Sequence, residues 1–341
     1  MRRASLTGAR RTSRPVTLTF DDLTTEGTIM EDLGLKGRSF LTIDDYSPSE
    51  VCRLLDSAGE LKAQCKRGQL QPLLAGRAVA MLFMKTSTRT RVSFEVGIEQ
   101  LGAQAMYLGA NDIQLRVGET IKDTANVLSR YVDAIMIRTF AQQDVVDLAT
   151  YGQIPVINGL TDDHHPCQAM ADALTILEHC GQLKMTRVVY SGDGNNVAHS
   201  LAEVAAKTGM ALTICTPEGY GPDEAIIARA RAAAEETGAS IELTADLRAA
   251  VPGADVIYTD TFTSMGQEAE HDERLAALKA YQVNMDLVEL AGDQVRIMHC
   301  LPAHWGEEIT EEVLYSPYSV VFDQAENRLH AQKAIMAAIV P

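Results

Sequence analysis

No apolar run in this chain approaches the ~18–20 residues that cross a bilayer, so no membrane-spanning helix is expected. Basic residues are outnumbered: 30 Lys and Arg stand against 46 Asp and Glu, a formal net charge of −16. That balance argues against nucleic-acid binding, which needs a basic footprint. The cysteines are few and scattered. Cys52, Cys65, Cys167, Cys180, Cys215 and Cys300 form no Cys-x-x-Cys pair and no zinc-type spacing with histidine. Free thiols in a reducing cytoplasm account for them, and no metal site is expected. Internal repeats and low-complexity segments are also missing. Gly192-Asp193-Gly194-Asn195-Asn196-Val197 begins like a dinucleotide loop, but Val197 stands where the third glycine belongs. A nicotinamide-dependent dehydrogenase would need the full fingerprint and a ribose-binding acid.

What is present suits a globular α/β protein. At 341 residues and 46% hydrophobic content the chain is too long for one typical core and suits two domains. Helix-like and strand-like segments alternate throughout, the pattern of parallel sheets. The first set has strands at 78–83, 105–108, 134–138 and 155–158, with helices at 47–67, 92–101, 120–131 and 142–151. A long helix from His165 to His179 joins it to a second set that runs from Arg187–Ser191 to Gln294–His299. An amphipathic stretch, Asn327 to Ile339, closes the chain. In open parallel sheets ligands bind beyond the carboxyl ends of the strands. The polar segments after Phe83, Ile137, Val189, Tyr258 and Met298 all fall there.

The most informative of them is Lys85-Thr86-Ser87-Thr88-Arg89-Thr90-Arg91, between a strand and a helix. Free N–H groups and the dipole at a helix start attract anions. Ser87, Thr88 and Thr90 add hydroxyl donors, and Arg89 adds a planar fork matched to phosphate oxygens. Helix capping alone needs one hydroxyl, not three beside two arginines. An anion drawn into so acidic a protein needs such a local cationic cluster.

Ser87-Thr88-Arg89-Thr90-Arg91 followed by Ser93-Phe94-Glu95 resembles the carbamoyl phosphate loop of the aspartate and ornithine carbamoyltransferases. Three further segments agree in family order: His165-Pro166-Cys167-Gln168, Asp260 through Ser264-Met265-Gly266, and His299-Cys300-Leu301-Pro302. The resemblance runs from about Leu33 to the C-terminus. The Ser-Met-Gly loop and the cysteine at 300, where aspartate enzymes carry proline, are similar to the ornithine branch.

The resemblance implies two domains, each an open parallel sheet flanked by helices, joined by a long helix. It also implies that Arg328 completes the phosphate site, so the last helix returns to the first domain. The expected division is 30–164 plus 321–341 for carbamoyl phosphate and 165–320 for ornithine. Ser87, Thr88, Arg89, Thr90, Gln114 and Arg328 are expected around the phosphate. Arg138, His165, Gln168 and Thr90 are expected to hold the carbamoyl group, with Cys300 and Leu301 beside the nucleophile. Asn196, Asp260, Ser264 and Met265 are expected to hold ornithine, with Cys300, Arg138, His165 and Asp260 as the catalytic set. Arg116 stands where many ornithine enzymes carry glycine, either adding charge near the phosphate or facing solvent, and Phe262 where tryptophan is common. His164 is expected to be structural.

The implied reaction is carbamoyl transfer from carbamoyl phosphate to the δ-amine of L-ornithine, giving L-citrulline, without cofactor. Transfer to another amine such as putrescine is the alternative. A cytoplasmic homotrimer, or a multiple of one, is implied as well. Residues 1–29 carry Arg2, Arg3, Arg10, Arg11 and Arg14 with no acid before Asp21. An organelle transit peptide has that make-up. Bacterial members of the family begin close to Met30, and a disordered or non-native extension outside the fold is the expectation.

Overall fold

A computed structural model describes residues 33–341 apart from 117, 265 and 267. The expectations for residues 1–29 and for Met265 lie outside the described residues, as does the side chain of Arg116. Nine strands are found among the described residues: β1 Ala78–Phe83, β2 Gln104–Gly109, β3 Ala134–Arg138, β4 Val156–Leu160, β5 Arg187–Ser191, β6 Ala211–Cys215, β7 Ser240–Thr244, β8 Val256–Thr259 and β9 Arg296–His299. The helices that alternate with them are α1 Pro48–Lys66, α2 Thr88–Gln100, α3 Ile121–Leu128, α4 Gln142–Tyr151, α5 Pro166–Cys180, α6 Asn196–Thr208, α7 Glu224–Thr237 and α8 Leu247–Ala250. They are followed by α9 His271–Leu278, α10 Met285–Ala291, α11 Glu311–Leu314 and α12 Val321–Ile339.

The strands form two parallel sheets, one in the order β2-β1-β3-β4 and the other β7-β6-β5-β8-β9. Helices cover them, so the central strands β1, β3, β5 and β8 are almost wholly buried and apolar, as parallel strands require. In the first sheet the order reverses between β1 and β3, in the second between β5 and β8. Such switch points leave a crevice at the carboxyl ends, where the flanking loops diverge. The Ser87 loop and Arg138 follow the first pair, and Asn195 and Asp260 follow the second.

Helix α5 joins the halves. Pro166 sits in its first turn, where no N–H partner is lost, and Gly181 ends it at φ 76°. Twelve of its residues, Pro166 to Leu177, are buried without a break, because α1, α6 and α12 pack around it. Helix α12 begins at Val321, six residues before the amphipathic stretch expected from sequence. It is buried on most sides against α1, α2 and α5, which returns the C-terminus to the first sheet's helices.

Candidate active site

A cleft of about 1110 Å³ opens between the two sheets at their carboxyl ends. On the first-sheet side it is lined by Ser87, Thr88, Arg89, Thr90 and Arg138, with Arg328 from α12. Ser87 is the N-cap of α2, its Oγ accepting from the Thr90 N–H at 3.2 Å. The helix thus starts at Thr88, earlier than expected, and Thr88, Arg89 and Thr90 form its first turn. Arg328 donates from Nη2 to Thr90 Oγ1 at 3.1 Å, locking α12 to α2 inside the cleft.

The cationic groups are crowded. Burial, then Arg328 and Arg89, lower Arg138 to about 10. Burial likewise lowers Arg328, with Arg89 adding to it. A site that strains to hold three guanidinium groups is one that an anion relieves. His165 is held well below its ordinary range by burial and by Arg328, Arg138 and Arg89. It is therefore neutral, and a neutral imidazole can offer one N–H to a carbonyl oxygen. Its backbone N–H donates to Ser200 Oγ at 2.8 Å, tying the start of α5 to α6.

The opposite wall carries the chemistry of a cation site. The Cys300 thiol donates to Asp260 Oδ1 at 2.9 Å, and Asn195 Nδ2 donates to Asp260 Oδ2 at 2.8 Å. Burial and the Asp260 charge push the thiol well above its usual range, so it is the donor and the carboxylate the acceptor. Behind it, His299 Nδ1 accepts from the Leu301 N–H at 2.8 Å. Its proton is then on Nε2, which donates to the buried Glu308 Oε1 at 3.0 Å. This clamp holds Leu301 in the left-handed region, φ 57°, a strain of roughly 1–2 kcal/mol for an L side chain. Asp260, His299 and Cys300 are close enough to share a cation, but their ligand atoms are already engaged by these bonds.

Asn195 and Asn196 divide their work. Asn195 Oδ1 caps α6 through Val197 and Ala198, while Asn196 Nδ2 donates to the Thr161 carbonyl at 2.5 Å, joining the two halves at the cleft. Gly194 is glycine for a packing reason. A Cβ there would lie 2.1 Å from Pro222 N. Of the two glycines that resemble a dinucleotide loop, Gly194 therefore serves close backbone approach, and Gly192 a backbone at φ 140°.

Of the residues expected from sequence, Ser87, Thr88, Arg89, Thr90, Arg138, His165, Asn196, Asp260, Ser264, Cys300, Leu301 and Arg328 line one cleft. Gln168 does not line it: its Oε1 accepts from Arg328 Nη1 and its Nε2 donates to Asp172 Oδ1, both at 2.8 Å. Gln114 stands exposed on the turn Gln114–Arg116, outside its own chain's cleft. His164 packs inside, Nδ1 3.3 Å from Glu203 Oε1. Phe262 is fully buried.

Sequence reasoning missed three groups. Arg274 on α9 pairs with Asp193 Oδ2 at 2.5 Å and donates from Nε to the Phe262 carbonyl at 2.8 Å, bracing the loop that carries Ser264. Lys85 meets Asp162 Oδ1 at 2.5 Å beneath the Phe140 ring. Asn195, beside the expected Asn196, holds Asp260 and caps α6. Only Lys85 had a signal, as the charge beside the hydroxyl loop.

Comparison with known proteins agrees with this arrangement. Residues 38–178 match the carbamoyl-P binding domain of aspartate/ornithine carbamoyltransferase, and residues 184–339 match its Asp/Orn binding domain. An ornithine carbamoyltransferase of Halalkalibacterium halodurans is 54% identical over 308 residues, covering 90% of this chain and 97% of that protein. An anabolic ornithine carbamoyltransferase of Pyrococcus furiosus is 55% identical over 308 residues, 90% of this chain and 98% of that protein. The solved ornithine carbamoyltransferase from Pyrococcus furiosus superposes with a TM-score of 0.87 at 55% identity, over 90% of this chain and 98% of that one. A mitochondrial ornithine carbamoyltransferase from Coccidioides immitis superposes at 0.82 with 38% identity, over 89% and 98%. By the cleft and by these likenesses, the chain belongs to the aspartate/ornithine carbamoyltransferase family.

Proposed function

We propose that this chain transfers the carbamoyl group of carbamoyl phosphate to the δ-amine of L-ornithine, giving L-citrulline and phosphate in arginine biosynthesis. The observation that carries the reading is one cleft with two opposed poles. Arg89, Arg138 and Arg328 stand beside the hydroxyl loop on one side, and the Asp260–Cys300 pair stands on the other. The relatives named for ornithine, at about 55% identity, favour that amine over putrescine.

In this reading Ser87, Thr88, Arg89, Thr90 and Arg328 neutralise the phosphate. Arg138 and His165 polarise the carbonyl and hold the oxyanion that forms when nitrogen attacks. Gln168 accepts from the carbamoyl amide. Asn196, Ser264 and Met265 receive the α-amino acid end. Asp260 receives the ammonium end and accepts the proton that must leave before attack, with Cys300 positioning its carboxylate. Attack forms the N–C bond and the tetrahedral oxyanion, which collapses as the C–O bond to phosphate breaks; the phosphate departs with the electron pair and takes the second proton from the new nitrogen. All of this is done with preorganised donors and needs no cofactor.

We further assign residues 30–164 with 321–341 to carbamoyl phosphate and 165–320 to ornithine. A cytoplasmic homotrimer or a multiple of one completes the picture. The exposed Gln114 turn, lying outside its own cleft, suits a neighbouring subunit's site. Product formation with ornithine, putrescine and aspartate, compared side by side at equal concentration, tests the substrate. Ornithine should be preferred by orders of magnitude, and equal rates with putrescine would overturn the assignment.

A further inference from the structure

Four buried side chains connect the two poles of the cleft through one oxygen atom. Gln168 on α5 accepts at Oε1 from Arg328 Nη1, 2.8 Å away. Gln324 on α12 accepts at Oε1 from the His299 backbone N–H, 2.9 Å away. Guanidinium and backbone N–H are donors only, so the orientation of both amides follows from these contacts. Both NH₂ groups then point to the same atom, Asp172 Oδ1, each at 2.8 Å. Asp172 and Gln324 have no solvent exposure, and Gln168 has 1%.

We propose that Asp172 is a positioning residue of the transfer reaction: its Oδ1 fixes which end of Gln168 the carbamoyl group meets and, through Gln324, holds the strand end that carries Cys300. The first half of this rests on the reading above in which Gln168 accepts from the carbamoyl amide. A carbamoyl NH₂ is a donor and needs an acceptor. A terminal amide can turn over and present NH₂ instead, which would set donor against donor. An acceptor at Asp172 prevents that turn, because a flipped Gln168 would aim its oxygen at a carboxylate oxygen. The same atom ties Gln324, and Gln324 ties the N–H of His299, the residue before Cys300. The two poles are thus referenced to one buried carboxylate on the helix that joins the halves.

Two ligands separate positioning from mere structure: inorganic phosphate, and phosphonoacetamide, a phosphonate that carries a primary amide. Wild-type protein should bind phosphonoacetamide more tightly than phosphate. Asp172→Leu, which removes the acceptor while keeping the γ-branched shape, should erode that preference at least tenfold while phosphate binding stays within about twofold. Asp172→Asn keeps an oxygen at the shared point and should restore most of the preference. Gln324→Met should leave the preference intact but lower kcat with ornithine, since it frees only the Cys300 side.

A preference unmoved by Asp172→Leu would overturn the inference, and so would an equal loss of both ligands. Loss of the preference in Gln324→Met would also overturn it. Should Asp172→Leu fail to fold, Gln324→Met decides: unchanged kcat rejects the proposal, and a selective fall in kcat supports it. A wild type with no preference for the amide ligand overturns the reading of Gln168, and this inference with it.

Discussion

The Cys300 thiol is a hydrogen-bond donor to Asp260 Oδ1 at 2.9 Å, not a nucleophile in waiting. Burial and the neighbouring carboxylate raise it far above its usual range, so it keeps its proton through neutral pH. Cys300→Ala should lower turnover by about tenfold to a hundredfold through misplacement of Asp260, with carbamoyl phosphate affinity nearly unchanged. Alkylation of Cys300 by iodoacetamide at pH 8 should be slow. Rapid alkylation would contradict the donor assignment, and full wild-type turnover in the alanine variant would reduce Cys300 to packing.

Arg89 faces the cleft from the first turn of α2. Arg89→Ala removes a charge-assisted fork worth about 1.5–3 kcal/mol. Phosphate and carbamoyl phosphate should therefore both bind at least about tenfold more weakly. Unchanged calorimetric affinity for either would place the anion elsewhere.

Ser264 lies across the cleft on the loop braced by Arg274. Ser264→Ala should raise the KM for ornithine several-fold and leave carbamoyl phosphate binding as it was. A matched loss of both ligands would contradict the assignment of the two poles to different substrates.

Glu203 reports on the seam between the halves. It lies on α6, 2% exposed, and accepts at Oε2 from the Ile43 N–H at 3.2 Å. Burial pushes its carboxyl up to about 8, and burial lowers the facing His164 to about 4. An acid raised in the folded state contributes stability that is full below its unfolded value near 4.5 and is lost as pH rises through about 8. Glu203→Gln should thus match the wild type below about pH 4 and exceed it at pH 9, by something on the order of 5 kcal/mol at most. Urea denaturation at the two pH values checks this. An identical gap between the proteins at both would refute the shift.

Much of this was legible in the sequence because chemistry on a parallel sheet has a fixed address. Once β1, β3, β5, β8 and β9 are recognised by their apolar runs, the polar residues that follow each must meet at one edge. The α2 boundary was less legible, since hydroxyl-rich loops and capped helix starts share the same residues. Gln168 is a ligand group in the proposed reaction, but its bond to Arg328 depends on α12 returning past α5, a tertiary event with no local signature. Arg274 was invisible for a similar reason. It lies on the short α9, far in sequence from its partner Asp193, and a surface arginine and a buried one look alike in sequence. The early turns of α12 carry Asp323 and Glu326, which interrupt the apolar pattern of the stretch that begins at Asn327.

The central claim is that one cleft joins a carbamoyl carbon to the δ-nitrogen of ornithine. Incubating the protein with ¹³C-carbamoyl phosphate and δ-¹⁵N-ornithine, and following the mixture by ¹³C NMR, tests it directly. A carbonyl signal split by one-bond coupling to ¹⁵N should grow at a rate proportional to protein concentration and slow at least about tenfold with Arg89→Ala at low substrate. Appearance of ¹³C-bicarbonate alone, with no coupled signal above the protein-free control, would contradict the account.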